Sequence, residues 1–424
     1  MVKISDTFRA FSSKNYRLFF AGQSISLIGT WMQQVALSWY VYRLTGSSLL
    51  LGTIAFLSQI PSIAVSPFAG VIADRINRRH LLYATQLASM VQALILAVLV
   101  ISGHGSVEAF LILSFIMGVI NSVDAPVRQS FVVQLVDNKK NLSNAIALNS
   151  AMFNLARMIG PSVGGFMIIF AGEGGCFLIN GLSYIAVLIA LYCMTMPRHQ
   201  KAERVGEPGF LHDFKMGLAY AYKTVPIRYL LILLAVTSFM GISYMTLMPV
   251  YVKKILNGDA HIYGILTGCG GAGALAGALY LASRKDVRGL LRITAVTSIM
   301  MSIILSAFTF IQSLLVAAIA ISCIGFCMIL MMGACNTIIQ TVVNEEMRGR
   351  VMSLYTIAFM GFTPFGSLLM GWISDYAGPQ NAVMAGGICC LAASLFFVFR
   401  IKTIRAHIRP MYIRLGIIPV NEER

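Results

Sequence analysis

Twelve long apolar stretches run along this chain, and they restrict its fold more than any other feature. Each is close to the roughly 20 apolar residues that a helix needs to cross the hydrocarbon core of a bilayer. Within the hydrocarbon core a chain has to satisfy its backbone hydrogen bonds internally, as an α-helix or a closed β-barrel does. These stretches lack the strict alternation of apolar and polar residues that barrel strands show, so helices are expected. The predicted spans are residues 18–42, 49–73, 81–101, 107–127, 146–170, 176–196, 229–252, 262–282, 293–311, 314–339, 351–373 and 382–399.

The composition excludes most other classes of protein. The chain has 424 residues, of which 58% are hydrophobic and only 11% are charged. A soluble domain averages roughly 45–50% apolar and about 25% charged residues. We therefore exclude a soluble enzyme, a disordered chain and a secreted disulfide scaffold. The expected fold is an all-α integral membrane protein with twelve transmembrane helices.

The placement of the basic residues predicts the orientation. Of 32 Lys and Arg residues, 28 fall on one side of the predicted membrane if the N-terminus is cytoplasmic. Only Arg43, Lys253 and Lys254 fall on the other side, and Arg157 lies within a span. Basic loops stay in the cytoplasm, so both termini are expected there, in a multi-pass protein of the cell (inner) membrane. The net charge of +16 then suits the anionic lipid bilayer and predicts no nucleic-acid partner.

The spans divide six and six around the longest connection. We predict an N-terminal six-helix bundle at 1–196, a cytoplasmic linker at 197–228, a C-terminal six-helix bundle at 229–400 and a basic tail at 401–424. One helical face of the linker carries Phe210, Phe214, Leu218 and Ala221, which suits a helix on the membrane surface, although a simple tether is the plainer interpretation. Weak similarity between the halves predicts two pseudo-symmetric bundles around a cavity that opens alternately to each side.

The sharpest local motif joins the second and third spans. It combines a glycine for close helix approach, an acid able to cap a helix and a set of arginines. The alternative is a merely basic cytoplasmic turn. We call residues 70–79 the gate segment; its motif residues are Gly70, Asp74, Arg75, Arg78 and Arg79, with Asn77 before the last two.

This segment resembles the signature of the major facilitator superfamily, with Asn77 in place of the usual glycine. A second stretch, from Asn121 through Arg128 to Gly165 and on to Tyr184, is similar to the branch that contains the enterobactin exporter and the macrolide efflux proteins. Its fifth span carries a motif like that of exporters, with Arg157, Gly160, Pro161, Gly164 and Gly165. The resemblance implies twelve helices and export of a bulky organic molecule, a drug or siderophore, driven by protons.

Asp124 has two possible roles. Ionisable groups within a span are costly and are functional candidates by default. Asp124 is either a proton carrier or the partner of Arg78 in an ion pair that steadies the closed gate. The resemblance favours the ion pair.

Arg157 is also left between two interpretations. It either attracts an anionic substrate or bonds buried carbonyls and the side chain of Asn121 or Asn149.

Polar and aromatic side chains within the spans are the next candidates. A cavity lined by amides and rings suits a bulky amphiphilic ligand, whereas hydrogen bonding between helices is the alternative for each of them. The substrate-cavity candidates are Gln23, Thr30, Gln33, Gln34, Gln59, Asn121, Asn149, Asn154, Tyr244, Asn336, Tyr355 and Phe359.

The sequence carries no nucleotide-binding loop, metal motif or catalytic constellation, so we predict no cofactor, no metal and no enzyme. The alternatives to an exporter are a lysophospholipid or lipid flippase, or an importer, of the same fold. A non-transporting membrane scaffold is a further alternative.

Overall fold

A computed structural model of the chain describes residues 9–75, 77–138, 141–195, 210–284, 286–414 and 417–418. Within helices, the side chains at 64, 66–75 and 210–213 lie outside that description. Every regular element in the described ranges is helical.

Six helices form the first half. A short 3-10 turn precedes them, and the last two are one helical run, Leu142–Cys193, broken at Gly172. Gly172 has φ 66° and ψ 177°, a conformation open to glycine, so the chain ends α5 there and starts α6. The helices are α1 (Lys14–Thr45), α2 (Ser48–Arg75), α3 (Arg78–Ile101), α4 (Val107–Gln134), α5 (142–171) and α6 (173–193).

Eight helices form the second half: α7 (Phe210–Lys223), α8 (Val225–Lys254), α9 (Ala260–Ser283), α10 (Leu290–Phe308), α11 (Leu314–Val342), α12 (Glu345–Ala377), α13 (Pro379–Phe399) and α14 (Ile401–Arg414). Two of them are interrupted by a π-helical segment, Thr237–Gly241 in α8 and Ile357–Gly361 in α12. Both segments end in the letters Phe-Met-Gly. Such wide turns bend a helix and are frequent at functional sites.

The fold class predicted from the sequence is confirmed. Nine helices in the described ranges are long and apolar enough to cross a membrane, and the run Leu142–Cys193 supplies two spans. In α2 the apolar stretch within the described side chains is Ser48–Ile63, and the 32-residue α1 is rich in polar side chains. The twelve predicted spans therefore correspond to α1–α6 and α8–α13.

The chain divides into two compact units. The first contains Met1–Arg204 and Pro249–Gly271, and the second contains Val205–Met248 and Ala272–Arg424. The predicted domain boundaries stay a prediction. The end of α8 and the first half of α9 group with the first unit rather than with the second.

In the first unit, α1 packs along α5 and α6, α2 packs on α4, and α3 packs on α6. Large apolar side chains also face outward, among them Val98, Ile169 and Phe170, each more than half exposed. An apolar surface of this extent requires lipid around it.

In the second unit, a core around α8 and α11 is covered from one end by α14. Ile404, Ile408 and Tyr412 of α14 are buried, whereas Lys402 and Arg405 are exposed, so the helix is amphipathic.

The linker helix predicted from the sequence is present as α7, but its face differs from the expected one. Ala221 is buried and Phe214 is half-buried against the second unit, whereas Leu218 is more than half exposed. Phe210 has its side chain outside the described part. The helix packs on the first turns of α12, where a Cβ at Gly217 would lie 3.1 Å from the Arg350 Cβ.

Candidate functional site

The two arginines that close the gate segment fasten it to the ends of other helices. Asn77 caps α3, because its Oδ1 accepts a hydrogen bond of 3.0 Å from the Arg79 backbone N–H. Arg79 Nη2 donates to the carbonyl of Tyr192 at the end of α6, and Arg78 Nη1 donates to the carbonyl of Ser130 in α4. The Asp74 and Arg75 side chains lie outside the described part, and the roles assigned to them and to Gly70 stay predictions.

Asp124 lies at the centre of a buried cluster that joins α3 to α4. Its Oδ1 accepts hydrogen bonds of 2.8 Å from Thr85 Oγ1 and from Gln86 Nε2. Its Oδ2 lies 3.4 Å from Arg128 Nε, one turn along α4. We call these four residues the carboxylate cluster.

The ion pair that we expected between Asp124 and Arg78 is therefore corrected. In the described residues, the cation paired with Asp124 is Arg128. The helical spacing explains the difference, since residues four apart face each other along one side of a helix. The carboxylate has a charge partner and two neutral donors, so its burial is compensated.

Arg157 is half-buried on α5, and its described partner is another residue of the same helix. Its Nη2 donates to Asn154 Oδ1 at 3.2 Å, and Asn154 Nδ2 donates to the Ser150 carbonyl at 2.8 Å. The predicted bonds to Asn121 or Asn149 are replaced by this one. Its Nε is buried without a hydrogen-bond partner in the described part of the chain. The guanidinium thus keeps a donor for another group.

The glycines of α5 bring three helices into backbone contact. A Cβ at Gly160 would lie 2.5 Å from the Trp31 Cβ, and one at Gly164 would lie 3.0 Å from the Met32 Cα, both on α1. On its other side, Gly165 meets Gly264 of α9, where an added Cβ would lie 2.9 Å from the Gly264 Cα.

The contact continues along α9. A Cβ at Gly268 would lie 3.0 Å from the Met158 carbonyl oxygen, and one at Gly271 would lie 2.6 Å from the Met158 Cα. These glycines of α9 are therefore packing contacts. We call the contact of Gly165 with Gly264, continued by Gly268 and Gly271 on Met158, the glycine contact.

Several of the predicted cavity residues are buried structural groups. Asn180 Nδ2 donates to Gln33 Oε1 at 2.7 Å, and Gln33 Nε2 donates to Gln92 Oε1 at 3.1 Å. This buried amide network links α1, α3 and α6. Gln23 and Tyr244 are also buried.

Other candidates stay accessible. Gln34 and Asn121 are exposed, and Asn336 Oδ1 accepts a hydrogen bond of 3.0 Å from Gln340 Nε2, a residue outside the predicted set. The partly buried candidates are Thr30, Gln59, Asn149, Asn154, Asn336, Tyr355 and Phe359.

Tyr355 borders a shallow apolar depression on the second unit, open to its surroundings. Its hydroxyl donates to the Met332 carbonyl at 3.3 Å, and its ring lies 6.4 Å from the ring of Phe359. The depression is about 410 Å³, and its lining is Ala278, Leu281, Ala282, Ile329, Met332, Gly333 and Tyr355. In the described residues no group of three or more His, Cys, Asp or Glu side chains is placed to hold a metal ion.

Sequence reasoning missed one buried charge. Glu173, at the first position of α6, is only 5% exposed and pairs with Arg43 at the end of α1, with 3.0 Å between Oε2 and Nη2. The sequence did contain an indication of this pair. Glu173 lies among glycines in the connection between two predicted spans, and this connection is on the same side of the predicted membrane as Arg43.

Twelve apolar helices with a glycine-packed α5 and an arginine-fastened α2–α3 connection define a multi-pass membrane transporter of the major facilitator type, not an enzyme. Residues 5–411 match the family described as transmembrane secretion effector, so the chain belongs to this family.

Relatives and solved structures agree with this assignment. The chain is 27% identical over 386 residues to the staphyloferrin A transporter of Staphylococcus aureus, covering 90% of this chain and 95% of that protein. It is 20% identical to macrolide efflux protein A of Streptococcus pyogenes, covering 89% and 95%. A bacterial homologue of the human lysosomal transporter Spinster, solved in an inward-facing, occupied conformation, shares the fold with a TM-score of 0.65 at 14% identity, covering 95% of this chain and 97% of that one.

Proposed function

We propose that this protein exports a bulky organic molecule, a drug or siderophore, across the cell membrane by proton antiport and alternating access. Relatives named for staphyloferrin A transport and for macrolide efflux support the substrate class. The placement of the basic residues supports cytoplasmic termini. In that orientation Arg43, Glu173 and the start of α9 lie on the outer side.

The glycine contact is the observation that carries this proposal. Backbone surfaces without side chains pack closely through van der Waals contact, yet no side chain has to be withdrawn when they part. Alternating access requires a contact that closes and reopens in every cycle. We assign this role to α5 and the first half of α9, near the outer ends of both helices.

The carboxylate cluster has a positioning role in this proposal. Asp124 already holds a cation and two donors, so it fixes α3 against α4 beside the gate segment. A proton carrier must gain and lose a proton in each cycle, which would break this set of bonds. We therefore favour the structural role for Asp124.

Substrate contacts come from the accessible candidates rather than from the amide network. Gln34 and Asn121 are exposed, and Arg157 keeps an unpartnered donor. Amides, rings and one cation together suit a large ligand that has few charges of its own.

Everted membrane vesicles test the proposal. Vesicles with the protein should accumulate a macrolide, ethidium or a catecholate siderophore when the interior is made acidic, and should not do so without the gradient. Gly165→Leu should abolish accumulation, whereas Gly349→Ala is the matched control, because a Cβ there meets no atom within 4 Å. Accumulation that ignores the gradient would reject antiport, and transport only in the opposite direction would favour an importer.

A further inference from the structure

The Arg43–Glu173 pair combines two groups of very different exposure. Arg43 has 58% of its side chain exposed, whereas the Glu173 side chain is 7% exposed. Glu173 Oε2 is bound by Arg43 Nη2, but Oε1 is buried and has no hydrogen-bond partner in the described residues. A buried charge with an unmatched oxygen is costly, whereas an exposed cation loses little when its partner is removed.

We propose that Glu173 is a proton-binding residue of the transport cycle, which takes up a proton from the outer aqueous phase and releases Arg43 when it is protonated. The assignment rests on the proton antiport and the orientation proposed above. One proton from outside binds the carboxylate, which becomes a neutral acid, while Arg43 keeps its charge and turns to water. When the glycine contact has closed again, the proton leaves towards the cytoplasmic side and the ion pair re-forms, so each cycle moves one proton inward.

The end of α1 connects this pair to the glycine contact. Arg43 lies over the ring of Tyr40, with 5.5 Å from its Cζ to the ring centroid. One turn earlier, Trp39 stacks on Tyr263 of α9, with 6.2 Å between the ring centroids and 21° between their planes. Release of Arg43 therefore frees a helix end that also holds the first turn of α9.

The turn at Gly172 places Glu173 in the same assembly. The break there lets the chain reverse, and α5 brings Gly165 to α9 while α6 brings Glu173 to α1. Protonation thus loosens the attachment of the end of α1 to α6. The substrate pathway opens to the outside as the glycine contact parts.

Other groups at this end carry charge or titrate, and the test has to separate them from Glu173. Glu108 is the best control because it is an exposed carboxylate in the first turn of α4. The remaining groups are Tyr40, His104, Cys176, Lys253, Lys254, Asp259 and His261.

A spectroscopic titration tests protonation without substrate. The chain has three tryptophans, so the double substitution W31F and W372F leaves Trp39 as the sole reporter. In nanodiscs its emission should change with pH through a single transition. Glu173→Gln should remove the transition and hold the signal at its acidic limit, whereas Glu108→Gln should keep it.

A transition that survives in Glu173→Gln, or a Trp39 signal that does not respond to pH in the parent, overturns the assignment. Thermal melting of each variant identifies a failure to fold, and Glu173→Asp, which keeps the acid, should then retain the transition.

Transport measurements separate the assignment of Glu173 from the broader proposal of proton antiport. In everted vesicles Glu173→Gln should lose at least tenfold in gradient-driven accumulation of ethidium or a macrolide while keeping downhill movement. If Glu173→Gln retains gradient-driven accumulation, the assignment of Glu173 as the proton-binding residue is rejected, whereas the proposal of proton antiport stands. If the unsubstituted protein ignores the gradient, antiport fails, and the Trp39 titration still decides whether Glu173 binds the proton.

Discussion

Gly165 of α5 and Gly264 of α9 touch through their backbones, and a Cβ on Gly264 would lie 2.8 Å from the Gly165 Cα. Because neither backbone can move aside without displacing its whole helix, any side chain at either position separates α5 from α9. The first half of α9 belongs to the first unit through contacts of this kind.

Gly165→Ala should lower the stability of the protein by about 1–3 kcal/mol, since overpacking a close contact strains both helices. Export should fall with it, because the closed arrangement of α5 and α9 is no longer reached. Thermal melting in detergent and dye efflux from cells measure the two effects. The same melting temperature as for Gly349→Ala would show that the helices are not in contact.

Asp124→Asn should lower stability by about 1–3 kcal/mol, because Arg128 loses its counter-charge and the amide NH2 that replaces Oδ2 faces the guanidinium, whereas Oδ1 can still accept from Thr85 and Gln86. The dependence of export on the pH gradient should remain. The control is Asp286→Asn, since Asp286 forms an ion pair with Arg288 at the surface. A surface ion pair contributes little to the free energy of unfolding. Abolished pH coupling in well-folded Asp124→Asn would make Asp124 the proton carrier after all.

Gln33 and Gln34 are neighbours in sequence with opposite environments, which makes them a matched pair. Gln33→Leu should cost about 1–3 kcal/mol of stability, because Asn180 and Gln92 are left with buried groups that lack partners. Gln34→Leu should leave the melting temperature unchanged and alter the relative export of different dyes. Equal melting temperatures for the two variants would contradict the buried amide network.

Arg157→Gln should lower the export of an anionic substrate about tenfold relative to a cationic dye, which corresponds to roughly 1.4 kcal/mol. The reason is the donor of Arg157 that has no partner in the described residues. Efflux of a catecholate siderophore and of ethidium from the same cells gives the ratio. An equal loss for both compounds would leave Arg157 with a structural role only.

The docking of α14 should weaken at alkaline pH. Burial, reinforced by Asp286, raises the pKa of Tyr412 to about 12. The neutral phenol is therefore favoured in the folded protein, and its contribution is complete below about pH 10 and is lost as the pH approaches 12. The mobility of a spin label attached at the exposed position of Arg405 should increase over that interval, and Tyr412→Phe should remove this dependence.

Much of the fold followed from the sequence because bilayer thickness and backbone bonding leave few choices. The twelve spans are visible in apolar length alone. The partner of Asp124 was not predicted, although Arg128 lies only four residues along the same helix, because the resemblance pointed to Arg78 of the gate segment instead.

The burial of Glu173 was not predicted from the sequence for a different reason. This residue lies between two predicted spans, where an acid ordinarily meets water, and only the turn at Gly172 buries it against α1. The π-helical segments were also missed, although the repeated Phe-Met-Gly letters at 239–241 and 359–361 marked both positions.

The two wide turns in α8 and α12 have a consequence for the length of the chain. A π-helical turn accommodates one residue more than an α-helical turn, so removing one residue from Thr237–Gly241 would restore a regular helix at that level. The residues on both sides of such a deletion would keep their faces, because the wide turn takes up the extra residue within a single turn. A deletion in a regular part of the same span would instead rotate everything beyond it by about 100°, since an α-helix has 3.6 residues per turn. The two wide turns are therefore the places where these spans tolerate a change of length.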